Sequence, residues 1–242
     1  NTGSLSKNTV KAISYSIIKS YPHDTSSFTQ GLTFYNGELY EGTGSGRKEL
    51  SKLMKVDLNT GKPLKEISLG DEYFGEGVTI LRDTIYQLTW QEHVVFVYDL
   101  KTFRKIKEFP LKTDGWGLTT DGKELIVSDG TSNLYFYNPS TFTLLRTVAV
   151  KENDNLAFNL NELEYINGYV YANQWQLPYI LKIDPTSGQV VAKADMQEVW
   201  NRVKVLDPDA DVPNGIAYDS TTKKTYITGK LWPELYEVQF SY

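Results

Sequence analysis

A chain of 242 residues with 25 Lys and Arg against 30 Asp and Glu, net charge −5, is long enough to bury a full core. Its acidity, without any basic run, argues against nucleic acid or an anionic membrane surface as a partner. There is no cysteine and there are only two histidines, His23 and His93, which excludes a disulfide framework, a thiolate zinc site, a cysteine nucleophile and a three-histidine metal centre. The 17 Tyr, 10 Phe and 5 Trp favour strand over helix.

No stretch reaches the roughly 18 consecutive apolar residues of a membrane span. Residues 1–10 read as a polar tail, disordered or a linker, ahead of a single domain over 11–242. A start at Asn1, with neither Met nor an apolar segment, is the pattern of a chain whose signal peptide has been removed. The only Asn-x-Ser/Thr triplet, Asn138-Pro139-Ser140, is blocked by its proline, which weighs against a eukaryotic secreted protein.

A strand-like run, Ala12–Tyr21, comes first. Five similar segments follow: Gln30-Gly31-Leu32-Thr33-Phe34, Glu76-Gly77-Val78-Thr79-Ile80, Trp116-Gly117-Leu118-Thr119-Thr120, Asn161-Glu162-Leu163-Glu164-Tyr165 and Asn214-Gly215-Ile216-Ala217-Tyr218. Their spacings of 46, 40, 45 and 53 residues match the period of propeller blades. Asn36-Gly37, Asp121-Gly122 and Asn167-Gly168 are hairpin dipeptides leading into second strands. Third strands end at turns such as Val56–Gly61 and Ile183–Gly188, and short fourth strands follow at Leu64–Leu69, Lys105–Leu111 and Leu144–Val150. The last repeat stops at Leu235–Phe240 without an outer strand, and Ala12–Tyr21 is available to supply it. The expected fold is therefore all-β: a five-bladed β-propeller closed by an N-terminal strand. A β-sandwich does not predict repeats in phase.

One segment departs from this pattern. Over Asp195–Leu206, Met196, Val199, Trp200 and Val203 fall at i, i+3, i+4 and i+7, a helical period inserted between blades four and five. It reads either as a plain connection or as a cap near one mouth of the ring. The run Asp207-Pro208-Asp209-Ala210-Asp211 is either a solvated loop or a structural Ca²⁺ site, and it lacks the glycine and terminal Glu of an EF-hand loop.

In a propeller the first strand of each blade lines the axis, so Gln30, Glu76, Trp116, Asn161 and Asn214 are expected at one height. Fourteen residues on lie Gly44, Trp90, Gly130 and Trp175, with Lys230 at sixteen, and antiparallel return places this second ring at the same mouth. Such a mouth is a default binding site. Each member also has a structural reading. The indoles Trp90, Trp116 and Trp175 can be packing, the amides can satisfy strand ends, and Lys230 can serve only as a counter-charge. Glu76 among indoles would be partly desolvated, with a raised pKa suited to acid–base work.

Phe28-Thr29-Gln30-Gly31-Leu32, Phe74-Gly75-Glu76-Gly77-Val78-Thr79, Leu88-Thr89-Trp90, Asp114-Gly115-Trp116-Gly117-Leu118, Asn161-Glu162-Leu163-Glu164-Tyr165 and Asn214-Gly215-Ile216-Ala217 resemble the glutamine cyclotransferases, the plant and bacterial glutaminyl cyclases. The likeness runs from about Tyr21 to Phe240. It implies a five-bladed propeller that converts N-terminal glutaminyl residues of peptides to pyroglutamyl and releases ammonia. By position, the resemblance puts the essential acid on Glu76, the aromatic pocket on Phe28, Trp90, Trp116 and Trp175, and polar contacts on Gln30, Asn161 and Lys230. Glu41, in Tyr40-Glu41-Gly42-Thr43-Gly44, also matches a family segment, without a defined role. The cysteines and glycosylation sites of the plant enzymes are missing, which makes this look like a bacterial member.

These readings imply an enzyme with no cofactor and no metal, acting as a monomer on peptides or proteins that begin with Gln, with no nucleic-acid partner and no membrane span. The expected compartment is periplasmic, secreted or cell-surface. Two other functions stay open. One is a divalent-metal propeller lactonase, opposed by the lone carboxylate of the first ring and by Lys230. The other is a non-catalytic peptide-binding propeller, in which Glu76 has no special role.

Overall fold

The computed structural model describes residues 9–45 and 50–241; most of the expected polar tail lies outside them. Five antiparallel sheets stand around an axis, and their innermost strands neighbour one another in cyclic order, the fifth returning to the first. From the axis outward, blade I comprises Phe28–Tyr35, Glu38–Gly44, Lys52–Val56 and Pro63–Ser68. Blade II comprises Gly75–Leu81, Thr84–Thr89, Val94–Asp99 and Lys105–Pro110. Blade III comprises Leu118–Thr120, Leu125–Ser128, Asn133–Tyr137 and Leu144–Ala149. Blade IV comprises Leu160–Ile166, Tyr169–Gln174, Tyr179–Ile183 and Val190–Asp195. Blade V comprises Pro213–Asp219, Lys224–Gly229 and Glu234–Phe240. The five-bladed propeller expected from the repeats is the observed fold.

The N-terminal run closes the ring, with a division not anticipated from its sequence. Tyr15–Pro22 pairs antiparallel with Glu234–Phe240 and completes blade V. Lys11–Ile13 pairs parallel with Val190–Asp195 on the outer edge of blade IV. The break falls at Ser14, whose N–H and hydroxyl both reach the Ser241 hydroxyl. The two short strands thus tie the neighbouring blades at the seam and cover two sheet edges.

Apolar faces of adjacent blades interlock into the core, as in the cluster of Leu88, Val95, Val97, Leu118, Leu125 and Val127 between blades II and III. Toward the axis the blades approach too closely for a side chain at the glycine that follows the ring residue in blades I to III. A Cβ on Gly117 would stand 1.9 Å from the Asn161 carbonyl oxygen, and one on Gly77 2.5 Å from the Leu118 nitrogen. Blade IV has Glu162 where the other repeats have glycine. Its carboxylate, fully buried, accepts the Leu32 N–H at 3.1 Å and the Ile216 N–H at 2.8 Å, joining blades I and V across the axis.

The helix is present as Gln197–Leu206, between blades IV and V. Val199 and Val203 are buried with Met196 against the blade IV and V core, and Trp200 packs on its margin. Asp195 accepts the Gln197 N–H at 2.9 Å at its start. A small hairpin at Lys151–Glu152 and Asn155–Leu156 was not foreseen.

Candidate active site

In four of the five blades the ring residue sits at a β-bulge. In blade I, Thr29 pairs with Thr43 and Gly31 with Gly42, which leaves Gln30 as the extra residue. The register also slips by one residue between Gly75 and Val78, between Leu160 and Leu163, and between Pro213 and Ile216. Those intervals contain Glu76, Asn161 and Asn214. In blade III the regular strand starts only after Trp116-Gly117, where the Gly117 N–H donates to the Ser128 hydroxyl at 2.8 Å. A bulge turns a side chain out of the pleat at a sheet end, and Gln30, Glu76 and Asn161 at three of these bulges line one pocket with Trp116.

The two expected rings meet in a cavity of about 330 Å³ lined by all eight predicted site residues, Phe28, Gln30, Glu76, Trp90, Trp116, Asn161, Trp175 and Lys230, together with Phe74 and Ser45. Phe74 was missed, although it stands two residues before Glu76 as Phe28 does before Gln30. Asn214, a member of the first ring, is not on the wall. Its amide donates to the Thr29 carbonyl at 2.9 Å and to Gln30 Oε1 at 3.2 Å, so it braces Gln30 from behind. Glu41 is also behind the wall: it accepts from the buried His23 Nε2 at 2.9 Å and from the Thr29 hydroxyl at 2.8 Å. His23 Nδ1 reaches the Trp232 carbonyl at 2.6 Å, which fixes the turn after Lys230. Burial opposes charge on His23, but Glu41 and the Trp232 carbonyl outweigh it and raise its pKa.

The wall is two groups of edge-to-face rings. Phe28 meets Phe74 at 6.1 Å, Phe74 meets Trp90 at 5.6 Å, and Trp116 meets Trp175 at 5.5 Å. The glycines of the second ring are the seats for these rings. A Cβ on Gly44 would lie 2.4 Å from the Phe74 ring, and one on Gly130, which has φ +82°, would lie 2.6 Å from the Trp116 indole. Trp90 is 38% exposed at the rim. The two remaining tryptophans lie away from the pocket: Trp232 is fully buried with its N–H on the Asp211 carbonyl, and Trp200, on the helix, is partly buried against the blade IV and V core.

Polar groups project into this apolar lining from the floor. Glu76 is 4% exposed, and its carboxylate lies 3.5 Å from Gln30 Nε2. Burial pushes the Glu76 carboxyl well above the usual carboxylate range; Lys230 pulls it back in part, while Glu92 and Asp114 push it further up. Lys230, also 4% exposed, has its ammonium 4.5 Å from the centre of the Phe28 ring. Burial lowers its pKa, against the attraction of Glu76 and Asp211. Trp116 Nε1 and Asn161 Oδ1 are buried without a protein partner. Among the described residues no group of three or more His, Asp and Glu is placed to hold a metal ion, the 207–211 run included.

Together these features define a β-propeller with an aromatic pocket closed around the Glu76 carboxyl, the layout of an enzyme site. The chain belongs to the glutamine cyclotransferase family, whose model matches residues 1–240. It is 41% identical over 226 residues to a glutaminyl-peptide cyclotransferase of Arabidopsis thaliana, covering 92% of this chain and 70% of that one. A glutaminyl cyclase of Myxococcus xanthus superposes with a TM-score of 0.89 at 35% identity, covering 96% of this chain and 98% of that one. The Pan2 WD40 domain of Neurospora crassa shares only the fold, with a TM-score of 0.51 at 10% identity over 93% of this chain and 94% of that one.

Proposed function

We propose that this protein is a glutaminyl-peptide cyclotransferase in which Glu76 moves the proton that ring closure requires. The observation that carries the reading is one buried carboxyl, with a raised pKa, in a pocket of aromatic rings. The substrate's α-amine nitrogen attacks its own γ-amide carbon. It must lose a proton as the N–C bond forms, and the departing amide nitrogen must gain one as the C–N bond breaks. A single carboxyl within reach of both nitrogens takes the first proton and delivers the second, so its net charge is restored when ammonia leaves. A group that is half protonated near neutral pH does both well, and burial shifts Glu76 in that direction.

The aromatic wall favours the compact, cyclising conformer and keeps out the water that would hydrolyse the amide to glutamate. The developing negative charge on the γ-oxygen is met by donors on the floor, Gln30, Asn161 and Lys230. Action in the periplasm, outside the cell or at its surface, by a monomeric bacterial enzyme that needs no metal, belongs to the same proposal and rests on the sequence resemblance. No helix among the described residues is long and apolar enough to cross a membrane.

The test is incubation with Gln-Ala-Ala-amide. Loss of one ammonia from this peptide, but not from its N-acetylated form, supports the reading. An unchanged mass would leave a peptide-binding propeller.

A further inference from the structure

Phe28 is a partition as well as a wall. Phe28 and Ser45 also line a second cavity, of about 420 Å³, together with Lys204, Asp209, Asp211 and Leu231. Three other surface cavities share no residue with the Glu76 pocket. The groove is built from the end of the inserted helix and the loop that follows it. Asp211 is fixed beside Lys230: its N–H donates to the Lys230 carbonyl at 2.8 Å, and its carbonyl accepts the Trp232 indole N–H at 2.8 Å. Lys204 gives its ammonium to the Pro208 carbonyl at 3.1 Å. Asp209 uses only its backbone N–H, on the Asp207 carboxylate at 2.9 Å. Two carboxylates and one committed ammonium leave the groove negative.

Ring closure consumes the α-amine and the γ-amide. The α-carbonyl is untouched and carries the rest of the peptide, which must leave the pocket. An extended chain advances about 3.3–3.6 Å per residue, so the second and third residues reach roughly 7 Å beyond the first. We propose that the groove beyond Phe28 receives the second and third residues of the peptide substrate, and that Asp209 and Asp211 make it selective for cationic side chains there. The proposal rests on the cyclotransferase reading of the pocket.

The experiment compares kcat/KM for Gln-Lys-Lys-amide, Gln-Ala-Ala-amide and Gln-Glu-Glu-amide at low ionic strength, in the parent protein, Asp209→Lys and Asp211→Asn. Exposed charge contacts are modest, so the Lys peptide is expected to exceed the Glu peptide by roughly two- to twentyfold. The preference should shrink in about 0.5 M salt. Asp209→Lys should reverse the order while leaving the Ala peptide at its parental rate. Asp211→Asn, which keeps an acceptor for the Val212 N–H, should reduce the preference about twofold. Equal rates for the Lys and Glu peptides, or a ratio unmoved by Asp209→Lys, would overturn the groove assignment. The Ala peptide separates the two failures: turnover without charge preference removes the groove alone, and no turnover removes the cyclotransferase reading and the groove with it.

Discussion

Replacing Glu76 by Gln should separate activity from stability in opposite directions. The amide keeps the size of the side chain, and its oxygen can still accept from Gln30 Nε2, now 3.5 Å from the carboxylate. What it cannot do is hold and return a proton. General acid–base groups contribute about 10²–10⁴-fold, so kcat should fall by that order, about 3–5 kcal/mol on the barrier. Stability should follow the other sign. The folded pKa of Glu76 is raised well above its ordinary value of 4.5. The contribution of this group is therefore full below that value and is lost as pH rises through the folded pKa. A glutamine escapes that loss. The variant should melt no lower than the parent at pH 8, while the parent should gain on it as the pH is lowered. The assay pairs ammonia release from a Gln-peptide with calorimetric melting at pH 5 and pH 8. Parental turnover in a folded Glu76→Gln protein would refute the proton-transfer role, and a variant that melts far below the parent at both pH values would refute the electrostatic argument.

Other consequences are as direct. Gly130→Val places a side chain where the Trp116 indole now rests, at a backbone φ of +82°; turnover should fall, and quenching of tryptophan fluorescence by a Gln-peptide analogue should weaken, with parental quenching counting against the seat. Burial raises Glu164 to about 8, opposed by N–H groups of Tyr218 and Tyr165 and by the Thr119 hydroxyl. Its stability contribution is thus present below its ordinary value and lost as pH rises to about 8, so Glu164→Gln should flatten the decline in melting temperature between pH 5 and pH 9, and an unchanged slope would contradict this. Dialysis against EDTA and 1,10-phenanthroline should leave turnover unchanged with the fold intact by circular dichroism; loss restored by added Zn²⁺ or Ca²⁺ would reopen a metal mechanism.

Much of this architecture was legible in the sequence because propeller repeats carry their phase. Once Gln30, Glu76, Trp116, Asn161 and Asn214 are aligned, the second ring follows from antiparallel return, and the pocket wall contains most of both rings. The less legible features depend on contacts between blades. Nothing in Asn214-Gly215 distinguishes a residue that lines the pocket from one that supports Gln30 from behind. Glu162 breaks a glycine pattern, yet only the closed ring brings the Leu32 and Ile216 N–H groups to its carboxylate. A glycine follows the ring residue in three of the four bulged repeats, but blade IV bulges with Glu162 there and blade III keeps its register beside Gly117, so the slip is a property of strand pairs. Phe74 and Gly44 form a pair only across two blades, so neither residue alone marks the wall. The division of the N-terminal run at Ser14 is likewise decided by the two sheet edges that meet there.

The central claim is intramolecular closure rather than hydrolysis, and isotopes test it most directly. A peptide beginning with Gln, labelled with ¹⁵N only at the side-chain amide, is incubated with the protein in H₂¹⁸O, and both products are weighed by mass spectrometry. Intramolecular closure gives labelled ammonia and a pyroglutamyl peptide that carries no ¹⁸O. A glutamyl product bearing ¹⁸O, or a peptide recovered intact, would contradict it.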